Sequence, residues 1–249
     1  MNGSHPPAIA FREVSRSFGG RAVLNNVSFE LAPGEAFCLL GRSGMGKSVT
    51  LKLAIGLIQP DAGAIYVEND NIVGMDEDGL SKVRSRVGFL FQSAALFDSF
   101  TLHDNLAVPL KRLWEEKPDE EIESIVQKNL DDVGLGKDGG KMPSELSGGM
   151  RKRAGLARAL MLQPSILLVD EPVSGLDRVT ASEIDDLLLR VRKRDNTTML
   201  IVTHDTREAR RVGDRVGVLD NGTLIAVGSM DKLATNQSAL VRALVSEAE

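Results

Sequence analysis

A chain of 249 residues, 42% hydrophobic and 26% charged, has the balance of a folded globular protein, one large domain or a core with an inserted subdomain. Its formal net charge of −5 argues against a partner held by bulk electrostatics, so no nucleic acid is expected. The single cysteine, Cys38, excludes an intrachain disulfide, and no stretch reaches the ~18–20 apolar residues that cross a bilayer. The opening Met1–Pro7 has no basic cap followed by an apolar run, so a secretion signal is not expected. These features predict a cytosolic protein, held at a membrane only through a partner.

In chain order, residues 8–31 read as short strands around a Gly19-Gly20 turn, and Pro33-Gly34 makes a second turn. Ala36 to Leu40 is a continuous apolar run, the pattern of a strand buried on both faces, which makes Cys38 a buried, inert thiol. A glycine-rich loop follows, then an apolar helix from Gly46 to about Leu57. Residues 98–163 carry helical patterns and no comparable strand, including a helix from Met150 to about Leu162. Two more buried strands, Ser165–Val169 and Met199–Thr203, alternate with helical segments, which predicts a parallel sheet with crossover helices. Asp220-Asn221-Gly222 is a hairpin signal. The end of the chain predicts an amphipathic helix carrying Leu240, Val241, Leu244 and Val245, packed on the domain. The expected organisation is one domain over 1–249: a core of 8–97 and 164–228, a helical insertion of 98–163 and a C-terminal helical segment of 229–249.

Three strand ends carry chemistry. Gly41-Arg42-Ser43-Gly44-Met45-Gly46-Lys47-Ser48 fits the phosphate-loop pattern G-x-x-x-x-G-K-[ST], with a buried strand before it and a helix after it. Its glycines let successive N–H groups turn inward, the helix adds its positive end, and Lys47 adds a point charge for the β- and γ-phosphates. Ser48 supplies a hard oxygen for Mg2+. The second buried strand runs into Asp170-Glu171, where Asp170 suits magnesium and Glu171 suits the water that attacks a phosphate. The third ends at His204, placed to hydrogen-bond a γ-phosphate or that water.

Leu146-Ser147-Gly148-Gly149-Met150 narrows the class. It resembles the L-S-G-G-Q signature of ABC ATPases, and it stands in order with the phosphate loop, Gln92, the acidic strand, Ser174-Gly175-Leu176-Asp177 and His204. The resemblance covers nearly the whole chain. It implies an α/β fold, a P-loop NTPase (RecA-like) core sheet with an N-terminal antiparallel β subdomain and an inserted α-helical subdomain. It also implies ATP and Mg2+ as ligands. Phe18 would stack on adenine; Gly41 to Val49 would cradle the phosphates; Ser48, Gln92 and Asp170 would hold the metal. Ser147, Gly148, Gly149 and Met150 would contact the ATP of a second copy, with Asp177 near the dimer axis, so that the chain works as an ATP-dependent homodimer. Lys47, Glu171 and His204 would carry the hydrolysis.

Two segments resemble one branch more closely. Phe91-Gln92-Ser93-Ala94-Ala95-Leu96-Phe97 and Met142-Pro143-Ser144-Glu145-Leu146-Ser147-Gly148-Gly149-Met150 look like the ATPases of Mla/Mce-type lipid transporters, including methionine where most relatives carry glutamine. That likeness implies a multispanning permease docked on residues 93–110, an Mce-domain lipid-binding protein, phospholipid cargo and a place on the cytoplasmic face of the bacterial inner membrane. The competing readings are an ABC ATPase for another cargo and a soluble ABC ATPase of DNA repair, chromosome organisation or translation. A single phosphate loop, a single signature and the lack of a long heptad run weigh against the last.

Overall fold

The computed structural model describes residues 6–113 and 117–246. Strands β1 (Ile9–Phe18) and β2 (Arg21–Leu31) form a long hairpin, and β3 (Ala36–Leu40) enters the core. Helix α1 (Lys47–Ala54) follows, then β4 (Ala62–Val67), β5 (Asp70–Asn71), α2 (Glu77–Arg84) and β6 (Val87–Leu90). Helices α3 (Leu102–Leu113), α4 (Asp119–Asp132) and α5 (Gly148–Leu160) come next, with a single 3-10 turn at Pro143–Glu145 before α5. The chain then alternates through β7 (Ile166–Asp170), α6 (Arg178–Asp195), β8 (Thr198–Thr203), α7 (Thr206–Val212), β9 (Arg215–Asp220) and β10 (Thr223–Gly228). It closes with α8 (Met230–Ala234) and α9 (Ala239–Ser246).

Two sheets result. A four-stranded antiparallel sheet has the order β2-β1-β4-β5, and a six-stranded sheet has the order β10-β9-β3-β8-β7-β6. In the larger sheet β9, β3, β8, β7 and β6 run parallel, and only β10 is antiparallel, paired through the Asp220–Gly222 turn. The order puts β3, β8, β7 and β6 side by side with their C-terminal ends together, so the loops that follow them share one rim.

The apolar strands are continuous because both faces are covered. In β3, Phe37 and Leu39 face the antiparallel sheet and α1, while Ala36, Cys38 and Leu40 face the helical side. A stack of Phe11, Phe29 and Phe37, with centroids 4.7 and 5.2 Å apart, ties the two sheets together. Cys38 is fully buried, and burial pushes its thiol up, as an inert core thiol requires.

Several predicted bounds move. Residues 8–31 form two long strands rather than several short ones. The first helix ends at Ala54 instead of Leu57, because Gly56 at φ 66 lets Leu57 N–H donate to Lys52 O at 2.9 Å, a Schellman closure. The signature helix starts at Gly148 and stops at Leu160, two residues earlier at each end than expected. In the last helix Val241, Leu244 and Val245 are buried, whereas Leu240 is 46% exposed. Among the described residues, no helix is long and apolar enough to cross a membrane.

Candidate active site

The rim of the six-stranded sheet opens into a cavity of about 650 Å³. It is lined by Gly41, Arg42, Ser43, Gly44, Gly46, Lys47, Ser48 and Val49 from the loop after β3, by Gln92, by Glu171 and Ser174, and by His204. Val23, Leu40 and Leu244 complete the wall. Gly46 is required by geometry: its φ is 101, and a Cβ there would lie 2.7 Å from Val23 O and 2.8 Å from a Leu24 methyl. The loop therefore turns tightly against the β1–β2 hairpin and delivers Lys47 as the first residue of α1.

Lys47 is buried, at 6% exposure, and its ammonium turns into the cavity. Nζ donates to Gly41 O at 2.7 Å and Arg42 O at 3.1 Å, and lies 3.2 Å from Glu171 Oε1. The other Glu171 oxygen is 2.5 Å from His204 Nδ1. Lysine, glutamate and histidine thus meet through one carboxylate. Glu171 occupies the left-handed region at φ 47, and its N–H donates to Val202 O at 2.9 Å on β8. That sparsely populated conformation turns its side chain from the end of β7 across to the loop of β3.

Beneath this group Ser48 Oγ donates to Asp170 Oδ1 at 2.9 Å. Burial pushes the Asp170 carboxyl up, Ser48 opposes that shift, and the charge of Glu171 adds to it. A hydroxyl and a buried carboxylate in contact, with the Gln92 amide on the same cavity, are the hard oxygen donors that Mg2+ takes. The donor set fits the metal.

Other expected residues lie elsewhere. Phe18 stands at the end of β1, 44% exposed, with the Arg16 guanidinium 4.6 Å over its ring, and does not line the cavity. The Met45 side chain turns away, its sulfur accepting from Asn221 N–H at 3.2 Å. Ser147 caps α5, its hydroxyl accepting from Met150 N–H at 3.2 Å. Asp177 caps α6, accepting from Val179 and Thr180 N–H at 3.0 and 3.1 Å, and the Thr180 hydroxyl holds its carboxyl below the usual range. Neither Ser147–Met150 nor Asp177 lines the cavity of its own chain.

The sequence reading missed three residues here. In the sequence Ser174 stands out only as part of a motif, and Leu244 only as a packing residue. Lys152, on α5, donates from Nζ to Glu171 O at 2.7 Å. Nothing in the run Arg151-Lys152-Arg153 marks the middle cation as the buried one.

The family profile described as ABC transporter matches residues 24–174. The chain is 43% identical over 235 residues to the probable ribonucleotide transport ATP-binding protein mkl of Mycobacterium leprae, covering 94% of this chain and 67% of that one. It is 39% identical over 235 residues to the methionine import ATP-binding protein MetN of Brucella abortus, covering 94% of this chain and 63% of that one. The chain therefore spans about two thirds of the length of these curated relatives. Among solved structures, the dimeric ATP-binding cassette MJ0796 in a post-hydrolysis state with ADP and Pi superposes with a TM-score of 0.82 at 31% identity, over 89% of this chain and 98% of that one. A cassette named cbiO1 from Clostridium perfringens, part of the complex cbiONQ, gives 0.82 at 25% identity, over 96% and 99%. With the phosphate loop, the acidic strand end and the strand-end histidine assembled on one rim, this chain belongs to the ABC transporter family and is one of its ATP-hydrolysing cassettes.

Proposed function

We propose that two copies of this cassette clamp two ATP molecules, each between the phosphate loop of one copy and Ser147–Gly149 of the other. The observation that carries this reading is the division of the site. One chain brings Lys47, Ser48, Asp170, Glu171 and His204 to its cavity, while its signature turn and Asp177 stay outside that cavity. Ser147 and Gly148, exposed at the N-terminal end of α5, place a helix start that suits an anion outside that cavity.

In this reading the γ-phosphate takes over the Lys47 ammonium from the loop carbonyls. Glu171, released from Lys47, accepts a proton from the attacking water. A positioned base of this kind contributes about 10²–10⁴ in rate. His204 orients Glu171 through Nδ1 and is exposed enough to reach the phosphate as well. Ser48, Gln92 and Asp170 would hold Mg2+, which would supply positive charge to offset that of the phosphates.

The cassette would power transport through a multispanning permease at the cytoplasmic face of the inner membrane, with an Mce-domain protein and phospholipid as cargo. The likeness of Phe91–Phe97 and Met142–Met150 to Mla/Mce ATPases supports that assignment. Exposed aromatics within residues 93–110 support docking of the permease there. Phe97 and Phe100 are 48% and 40% exposed, their centroids 5.5 Å apart. Fully buried Asn105 fixes their loop: its Oδ1 accepts from Phe97 N–H at 2.7 Å, and its Nδ2 donates to the carbonyls of Phe97, Phe100 and Thr101. Exposed aromatics on a rigid loop suit an apolar partner helix. A second reading, transport of another cargo, is favoured by the names of the relatives, which specify ribonucleotide and methionine.

The test is to isolate the Glu171→Gln variant with ATP from membranes in mild detergent and identify its companions and lipids by mass spectrometry. A cassette dimer with a permease, an Mce protein and phospholipid is the expected result. A permease without an Mce protein or lipid would move the cargo to the second reading, and no membrane partner would remove the transport assignment.

A further inference from the structure

Lys152 joins two parts of the chain that the shared-site arrangement assigns to different ATP molecules. It stands in the second turn of α5, the helix capped by Ser147 and opened by Gly148 and Gly149. In a sandwich those residues meet the ATP held by the second protomer. The Lys152 side chain instead runs inward, 6% exposed, and its Nζ donates to Glu171 O at 2.7 Å. Glu171 is the carboxylate that serves the chain's own ATP.

The contact falls at a sensitive point. Glu171 is held at φ 47, a sparsely populated conformation that persists only because its surroundings fix it. Its N–H is anchored to Val202 O on β8 at 2.9 Å, and its carbonyl to Lys152 on α5. One end of the residue thus rides on the core sheet and the other on the helical subdomain. A shift of α5 relative to the sheet must rotate the peptide between them.

A buried lysine is costly unless charges face it. Desolvation lowers the Lys152 ammonium from its ordinary value, and Glu208, Asp170 and Glu171 oppose that shift. Glu208 is itself 2% exposed, and burial pushes its carboxyl well up, with Thr203 opposing that shift. Packing alone would be met by an apolar side chain, since Ala154, Leu156 and Ala157 fill the rest of the inner face.

We propose that Lys152 is a positioning residue that couples the two ATP sites: docking of Ser147–Gly149 on the second protomer's ATP moves α5, and Lys152 passes that movement to Glu171 in its own chain. Each site then becomes competent for hydrolysis only when the neighbouring site is filled. The proposal rests on the shared-site reading above. It makes ATP hydrolysis cooperative in ATP, with a Hill coefficient approaching the number of sites, about 2.

The experiment uses Lys152→Met, which keeps the apolar stem and removes the donor, with and without Glu171→Gln. Glu171→Gln alone should form an ATP-dependent dimer by light scattering. Failure there would sink the shared-site reading itself. With that dimer in hand, Glu171→Gln/Lys152→Met should dimerise equally well. Loss of its dimer would mean that Lys152 builds the signature helix rather than relays from it, overturning the proposal. Lys152→Met with Glu171 intact should lose about tenfold in kcat, while its ATP-dependent dimerisation is kept and the monomer's ATP affinity stays within about twofold of the parent. Parental kcat in that variant would also overturn it.

Discussion

Glu171 has two oxygens and three claims on them. Lys47 and His204 hold one each, and the proposed mechanism places the attacking water at the same group. In that proposal a γ-phosphate resolves the conflict by drawing Lys47 away. Lys47→Ala should therefore weaken ATP binding by about 10–100-fold, the worth of one or two charge-assisted hydrogen bonds, measured by titration calorimetry on the isolated chain. Unchanged affinity would remove Lys47 from the phosphate site. A second buried acid has a different consequence. Asp185 on α6 is 6% exposed, and its Oδ1 has no hydrogen-bond partner among the described residues. Burial pushes its carboxyl up to about 6; Asp205 and Asp186 add to that shift and Arg211 opposes it. A carboxyl raised above its unfolded value stabilises the fold fully below about pH 4, and that contribution is lost as pH rises to 6. Asp185→Asn removes the buried charge. It should raise stability at pH 7.5 by about 1–3 kcal/mol, and thermal melts should show the gain shrinking toward pH 5. A gain that does not change with pH would show that Asp185 does not titrate in this window.

At the scale of elements, the loop after Gln92 is bolted to the signature helix. Ala94 and Ala95 both take left-handed conformations, at φ 63 and 49, and Arg158 on α5 donates to Ala95 O while its guanidinium lies 5.5 Å from the Phe97 ring centroid. Gly155 makes the approach possible, since a Cβ there would sit 2.8 Å from Ala94 Cβ and 3.0 Å from its Cα. Gly155→Ala gains about 1 kcal/mol of helix propensity, yet overpacking a backbone contact costs about 1–3 kcal/mol. Denaturant titration should show a net loss of about 1 kcal/mol, and a stabilised variant would mean the loop can yield. This junction also marks the limit of what the sequence tells. Strands β3, β7 and β8 are legible because both faces are covered, which forces unbroken apolar runs. Strand β6 escapes notice because it is four residues long, contains Gly88 and borders only one strand. The phosphate loop, Asp170, Glu171 and His204 can be read because each follows a legible strand. Lys152 cannot, because Arg151, Lys152 and Arg153 look like one solvated face until the packing of α5 turns the middle side chain inward. Phe18, the adenine residue by resemblance, has its ring beside Arg16 and off the wall of this cavity.

For the whole molecule, the proposed division of the site between two copies has an arithmetic consequence. Ser147→Arg should leave the phosphate loop of its own chain intact while blocking the signature turn with bulk and charge. Lys47→Ala should do the reverse, leaving a sound signature beside a damaged loop. Each variant alone then builds a dimer in which both sites contain one damaged half, and each should be inactive. Mixed in equal amounts, they pair at random, and half of the dimers contain one chain of each kind. Such a mixed dimer has one site built from two sound halves and one built from two damaged halves. Recovered ATP hydrolysis should therefore reach at most about a quarter of the parent rate. The Lys152 relay lowers that ceiling further, because the sound site's Glu171 belongs to the chain whose own signature is blocked. No recovery at all, with mixed dimers detected by crosslinking, would favour strict coupling between the sites. Activity in either variant alone would mean that a single chain completes its own site, and the sandwich would be wrong.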